Sequence, residues 1–165
     1  MAALDYDQGR LELAKKLGAE KVINLADADV AGQAMALTSA LGCDGILIAA
    51  AAATSEPFEM AAEIARDRAK VCLVGQSGTA FPYAAFMKKE LSIIVSRSYG
   101  PGRYDEDFEG RGMKYPEGFI RWTETENLAE SVRLMSSGLA RRLNVAGLTT
   151  HTFDIKNADQ AYALV

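Results

Sequence analysis

The sequence predicts an α/β domain built on a doubly wound parallel sheet, and three observations carry that expectation. Short apolar or β-branched runs alternate with helix-period patterns along most of the chain. Glycines stand where helices would stop. The run DGILIAA (44–50) lacks polar alternation, the mark of a strand covered on both faces, as parallel strands are. At 165 residues the chain suits one domain, and no repeat, low-complexity tract or linker divides it. Right-handed crossovers would place helices on both faces of the sheet.

The elements follow in order. AALD (2–5) is strand-like; Leu11, Leu13, Ala14 and Leu17 then recur at helical spacing, and Gly18 stops the helix. KVINL (21–25) is a short β-branched strand. In DVAGQAMALTSALG (29–42), Val30, Ala34, Leu37 and Leu41 share one helical face before Gly42. After the strand at 44–50, Thr54 or Ser55 caps a helix that tolerates Pro57 in its first turn. Its apolar face comes from Phe58, Ala61, Ala62, Ile64 and Ala65, and it ends around Asp67. KVCLVG (70–75) is another buried strand running into the turn GQSG, and LSIIVSRSYG (91–100) is a further one after the short segment FPYAAFMKKE. From Pro101 to Gly118, glycines, two prolines and clustered charges predict a long ordered loop. ENLAESVRLMSSG (126–138) is an amphipathic helix stopped by Gly138, and VAGLTTHTFDIKNADQAYALV reads as a strand followed by a helix capped near Asn157.

Composition narrows the function classes. With a net charge of −4 and no Lys/Arg run interleaved with aromatics, the chain has no nucleic-acid surface. The longest apolar stretch, ILIAAAAA, is bounded by Asp44 and Glu56, short of the roughly 20 residues a membrane span needs. No basic region precedes an apolar one at the N-terminus, so no membrane partner and a cytoplasmic location are expected. Cys43 and Cys72 are expected as buried, reduced thiols.

Asp5 is the most informative candidate. An acid at the carboxyl end of a strand in a dinucleotide-binding unit accepts hydrogen bonds from the adenosine ribose and repels a 2′-phosphate, which favours NAD over NADP. Asp7 adds to that repulsion, and Arg10 could lie along the adenine or reach a ribose oxygen. The alternative is that Asp5 and Asp7 are acids favoured by a helix N-terminus. AAAAATSE (49–56) and GQSG (75–78) follow strands directly, which puts them on the carboxyl edge where open α/β sheets bind ligands. Their small side chains either admit a flat ring or pack a helix onto the sheet. His151 has no cysteine or second histidine near it in sequence and is expected to be structural, with no zinc set. Trp122 and the tyrosines of SYGPGRYD and KYPEG form a lid, a contact surface or packing beneath a loop, and Asp105, Glu106 and Asp107 are expected to be solvated.

The ordered series LDYDQGRLELAKKLGAEKVIN, CDGILIAAAA, RAKVCLVG, KKELSIIVSRSYG and LTTHTFDIKNADQAYALV resembles the medium-chain, zinc-type alcohol dehydrogenase superfamily, essentially end to end. More narrowly, SRSYGPGRYD and YPEGFIRWTE resemble the dehydrogenase half of bacterial two-part oxidoreductases linked to polysaccharide synthesis. The resemblance implies a Rossmann-like coenzyme domain holding NAD in preference to NADP. Asp5 matches the family's ribose-binding acid and Arg10 the adjacent basic residue. Ala49 and Ala50 match positions on the adenosine and nicotinamide-ribose side, Val74, Ser96 and Ser98 match positions whose backbone faces the nicotinamide amide, and Gly75 matches the glycine after the family's fifth strand.

The family's first strand, its GxGxxG turn and the helix that follows are expected before Met1, as is a catalytic domain supplying zinc ligands; 145–165 would begin the return to that domain. In the order 3-2-1-4-5-6 the first strand is central, so the resemblance implies a sheet without its middle and two unpaired edges. Direct pairing across the gap, rearranged helices or a partner's strand would cover them, and a homodimer is expected. The expected function is hydride transfer from an alcohol or sugar-alcohol carbinol in a parent enzyme, with no turnover from this chain alone. The rival expectation is an inactive α/β assembly module.

Overall fold

A computed structural model describes residues 1–136, 138 and 143–164. Ser137, within the helix expected at 126–138, and Val165, at the end of the last expected helix, lie outside the described residues. Strands and helices alternate through the first half: β1 (Ala2–Asp5), α1 (Gln8–Lys16), β2 (Lys21–Asn24), α2 (Val30–Ala36), β3 (Cys43–Ile48), α3 (Glu56–Ile64), β4 (Ala65–Leu73), α4 (Tyr83–Lys89) and β5 (Ser92–Val95). Beyond them come α5 (Glu106–Glu109), α6 (Glu124–Met135) and α7 (Ala158–Leu164).

All strand pairing is parallel, as the expected Rossmann-like class requires, but it forms two sheets. β1 pairs with β2 from Ala2 opposite Lys21 to Asp5 opposite Asn24. β3, β4 and β5 form the second sheet in that order. No hydrogen-bonded ladder joins β1 to β3, so direct pairing across the expected gap does not occur. Apolar packing connects the two sheets instead. Ile23 of β2, Val30 and Ala34 of α2 and Ile64 of α3 make one buried cluster, with Leu4, Cys43 and Ile46 against it. Over the carboxyl ends, the Tyr6 hydroxyl donates to Glu56 Oε1 at 2.5 Å.

The larger cluster packs Ile48, Val71 and Leu73 beneath Phe58, Ala61, Ala62 and Phe86 of α3 and α4. Because side chains alternate along a strand, Leu47, Cys72 and Ile94, which share one register position, point to the other face. That face is open: Leu47 is 74% exposed and Ile94 44%. Burial of β3 on both faces, and of β5, is therefore corrected, since an apolar run shows what a strand could bury and not what covers it. Both cysteines are half-buried rather than buried.

The helix expected to reach Asp67 ends at Ile64, and a physical cause is visible. Lys89 Nζ donates to the carbonyls of Ala62 (2.6 Å), Glu63 (3.3 Å) and Ala65 (2.8 Å), capping α3 from α4. The chain then enters β4, whose register shifts opposite Cys43–Gly45 and whose Arg68 takes φ 59°. The helix expected over 29–42 also stops early, at Ala36, and Ser39 and Ala40 turn into the left-handed region. The expected late strand in LTTHTF is absent among the described residues; short 3-10 turns, Ala146–Leu148 and Ile155–Asn157, flank an extended segment without a partner. The last helix begins at Ala158, directly after Asn157, and Asp154 caps the preceding turn by accepting from Lys156 N. Among the described residues no helix is long and apolar enough to cross a membrane.

Candidate functional site

Parallel pairing brings the carboxyl ends of the strands in each sheet to one edge, and the candidate residues sit at those ends. Asp5 closes β1. Its Oδ1 accepts from Asp7 N at 2.9 Å, while Oδ2 lies 3.8 Å from Arg10 Nη1. The cap of α1 is Asp7, whose side chain accepts from Arg10 N at 2.9 Å. Asp5 is thus outside the helix cap, and its carboxylate is only half-buried.

Ala49, Ala50, Val74 and Gly75 are brought together. The amides of Val74 and Gly75 both donate to Ile48 O at 2.9 Å. Gln76 N donates to Ala50 O at 3.2 Å, and Ala52 N returns to Gln76 O at 2.8 Å, so the loops after β3 and β4 continue the strand pairing. A Cβ on residue 75 would stand 2.3 Å from Ala50 O, which is why glycine occupies the crossing. Beyond it a cavity of about 400 Å³ is lined by Ala51, Ala52, Ala53, Gln76, Ser77 and Gly78.

Ser96 and Ser98 follow β5, Ser96 N donating to Leu73 O at 2.9 Å. They line a larger cavity, about 1180 Å³, together with Arg97, Tyr99, Arg103, Tyr104, Asp105 and Asn127. Asp5 and Arg10 stand on the other sheet from this cavity. The cavity wall escaped sequence reasoning. Arg97 lies 5.1 Å from the Tyr104 ring centroid and Arg103 lies 4.6 Å from it, so two guanidiniums stack on one tyrosine. Arg103 is also bound to Glu109 at 2.5 Å. The SYGPGRYD stretch was a signal, since it puts aromatics and arginines beside glycines, but the pairing depends on Ser98 (φ 26°) and Tyr104 (φ 66°) bending the loop back.

Hydrogen bonding sets the charges on that wall. The Tyr115 hydroxyl donates to Asp105, which also accepts from Asp107 N and Phe108 N as the cap of α5. Tyr115 therefore holds Asp105 below the usual carboxylate range, and Asp105 raises the Tyr115 phenol. Arg103 likewise holds Glu109 down. Asp105 is thus an engaged cap rather than a freely solvated acid. Trp122 is partly exposed, and its carbonyl lies 3.5 Å from Asn127 Nδ2. His151 is exposed and stacks on Phe153, with Nδ1 3.0 Å from Thr150 Oγ1. Among the described residues no group of three or more His, Cys, Asp or Glu side chains could hold a metal ion.

A family model described as zinc-binding dehydrogenase matches residues 1–110. Galactitol-1-phosphate dehydrogenase from Escherichia coli is 27% identical, with a TM-score of 0.52 over 66% of this chain and 33% of its own. Zinc dependent alcohol dehydrogenase 2 from Streptococcus pneumonia is similar over 99% of this chain and 39% of its own, at 17% identity and a TM-score of 0.70. A short chain alcohol dehydrogenase from E. coli CFT073, complexed with NADH, is similar over 99% and 40%, at 24% identity and a TM-score of 0.66. The last two are likenesses of fold. The chain spans about a third of the length of the solved structures it matches.

Proposed function

The chain belongs to the zinc-binding dehydrogenase family, and on that footing we propose that its carboxyl edge binds a nicotinamide dinucleotide, NAD in preference to NADP. The observation that carries this is the position of Asp5: a carboxylate at the end of β1 that does not cap the following helix. Such an acid accepts ribose hydroxyls, and with Asp7 beside it repels a 2′-phosphate. Arg10 would lie along the adenosine. Ala49 and Ala50 would let the ribose side approach the backbone, and Val74, Gly75, Ser96 and Ser98 would line the nicotinamide end. The small side chains after β3 and the close crossing at Gly75 suit a flat ring against the backbone. The complex of the E. coli CFT073 relative with NADH lends support.

In the parent enzyme, a nicotinamide held by these residues would supply the hydride acceptor for an alcohol or sugar-alcohol carbinol, and this chain alone would give no turnover. The protein orients the partners. The substrate proposed is an alcohol or sugar alcohol, and no zinc step is assigned, because the described donor sets fit none. We place the chain in the cytoplasm as a homodimer, a second copy covering unpaired strand edges and the open face at Leu47. Sedimentation at a single-copy mass across micromolar concentrations would remove the dimer.

Calorimetry with NAD, NADP and AMP tests the coenzyme reading. NAD should bind more tightly than NADP, and Asp5→Ala should weaken NAD by roughly tenfold or more, as losing a charge-assisted hydrogen bond does. Binding that survives Asp5→Ala unchanged would remove the ribose role, and no binding of any of the three at millimolar concentration would remove the coenzyme.

A further inference from the structure

We propose that the cavity beyond β5 binds an anionic sugar, a carbohydrate bearing a carboxylate or a phosphate, with Arg97 as the anion contact. Two acids near the cavity are turned to protein partners. Asp105 takes the Tyr115 hydroxyl and two backbone amides. Glu109 takes Arg103 at 2.5 Å and Tyr104 N at 3.1 Å. Glu106, exposed, also lines the cavity. Arg97 differs: it stacks on Tyr104 and has no carboxylate partner among the described residues. A guanidinium whose N–H groups meet no carboxylate can offer them to a planar, two-oxygen acceptor, which is how arginine recognises carboxylate and phosphate.

The rest of the wall suits hydroxyls more than a bare ion. The Ser96 and Ser98 hydroxyls are not engaged by other described residues, and the Ser131 hydroxyl, donating to Asn127 O at 2.8 Å, can still accept. The Tyr99 and Tyr104 rings, both partly exposed, offer apolar faces to the C–H side of a sugar. A cavity of about 1180 Å³ is far larger than a phosphate ion needs and is of the size that takes a small organic ligand. The cavity shares Ser96 and Ser98 with the proposed nicotinamide end. That this ligand is the substrate rests on the coenzyme reading above, whereas its binding does not.

The single tryptophan, Trp122, lies beside the cavity wall through Asn127 and reports binding by its fluorescence. The chain is titrated with glucuronate, glucose 6-phosphate, glucose and inorganic phosphate, each with and without NAD. At least one anionic sugar should bind about tenfold or more tightly than glucose and than phosphate alone, and which one does identifies the anion. Arg97→Gln should bring it to within about twofold of glucose while leaving NAD affinity unchanged, and Arg97→Lys, which keeps the charge without the fork, should fall between. Glucose or phosphate alone binding as tightly as the better anionic sugar, or full discrimination retained in both variants, would each overturn the assignment. A chain that binds NAD but no sugar overturns this site alone. One that binds the anionic sugar but not NAD supports the site and removes the coenzyme reading.

Discussion

Among the described residues, every buried apolar side chain lies between Leu11 and Phe86, whereas from 97 to 164 only Gly102 and Thr123 are buried. The first region is folded by burial of strands beneath helices. The second is held by a capping box at Thr123–Glu126, ion pairs such as Arg103–Glu109 and Arg133–Glu130, and guanidiniums stacked on tyrosines. Area-driven packing is non-directional and insensitive to pH, while exposed ion pairs each contribute little and respond to solvent. The proposed site spans the boundary: Asp5, Ala49, Ala50, Val74 and Gly75 stand on packed strands, while the wall at 97–105 stands on polar contacts. The rigid part can position a coenzyme, and the softer part can adapt to what lies beside it.

The largest effect should come from the packed region. Phe86 contacts Phe58 and Phe81, at centroid distances of 6.2 and 5.2 Å, above buried Val71. Phe86→Ala should cost about 3–5 kcal/mol, against a total of about 5–15 kcal/mol for a typical domain. Leu128→Ala, at an exposed wall position, should stay within about 0.5 kcal/mol. Urea titration of both checks the contrast, and equal losses would erase the distinction between the two regions. Next in size is Gly75→Ala, whose methyl meets Ala50 O and forces the loops after β3 and β4 apart. It should cost about 1–3 kcal/mol and lower NAD affinity with it, read by thermal melting and calorimetry.

The same boundary divides what the sequence made legible. Through β5 the strand and helix order follows from period and glycine placement, because burial there obeys the pattern that predicts it. The departures have causes outside the local pattern. Lys89 ends α3 from another element, and the open face at Leu47 depends on what covers a sheet rather than on its residues. Asp5, Ala49, Ala50 and Gly75 could be singled out by their place at the ends of recognisable strands, and Val74, Ser96 and Ser98 only through the family resemblance. Arg97 could not, since its contact with Tyr104 depends on a loop that turns through the left-handed region at Ser98 and Tyr104 as well as at Gly100 and Gly102. Likewise the threonines and Phe153 of the late segment have β propensity, but no strand edge stands beside them.

A smaller loss should follow from Thr123→Ala. Its hydroxyl accepts from Glu126 N at 3.4 Å, and Glu126 Oε2 accepts from Thr123 N at 2.8 Å, so truncation removes the hydroxyl half of the capping box and leaves the backbone half. About 1 kcal/mol is expected, and hydrogen exchange should show it in α6 while leaving β4 amides protected as before. Faster exchange in β4 would mean that the two regions share one cooperative unit.

Mild acid should separate the regions by the smallest step. Tyr115 holds Asp105 below its ordinary range, Arg103 holds Glu109, Thr123 holds Glu126 and Arg133 holds Glu130. A depressed carboxylate stabilises the fold fully above its unfolded pKa, about 3.9 for Asp and 4.3 for Glu, and loses that contribution as pH falls through the lower folded value. The Tyr115 phenol, raised by Asp105, has the opposite sign: its contribution is complete below about 10 and lost as pH rises through the folded value. Trp122 fluorescence should therefore change below about pH 4 and again at alkaline pH, before far-ultraviolet circular dichroism reports loss of the sheets. Asp105→Asn, which removes the carboxylate that Tyr115 and two amides share, should flatten the alkaline limb and shrink the acid one, to which Glu109, Glu126 and Glu130 still contribute. If the two signals instead move in step at every pH, the polar wall has no stability of its own and the core alone decides when it opens.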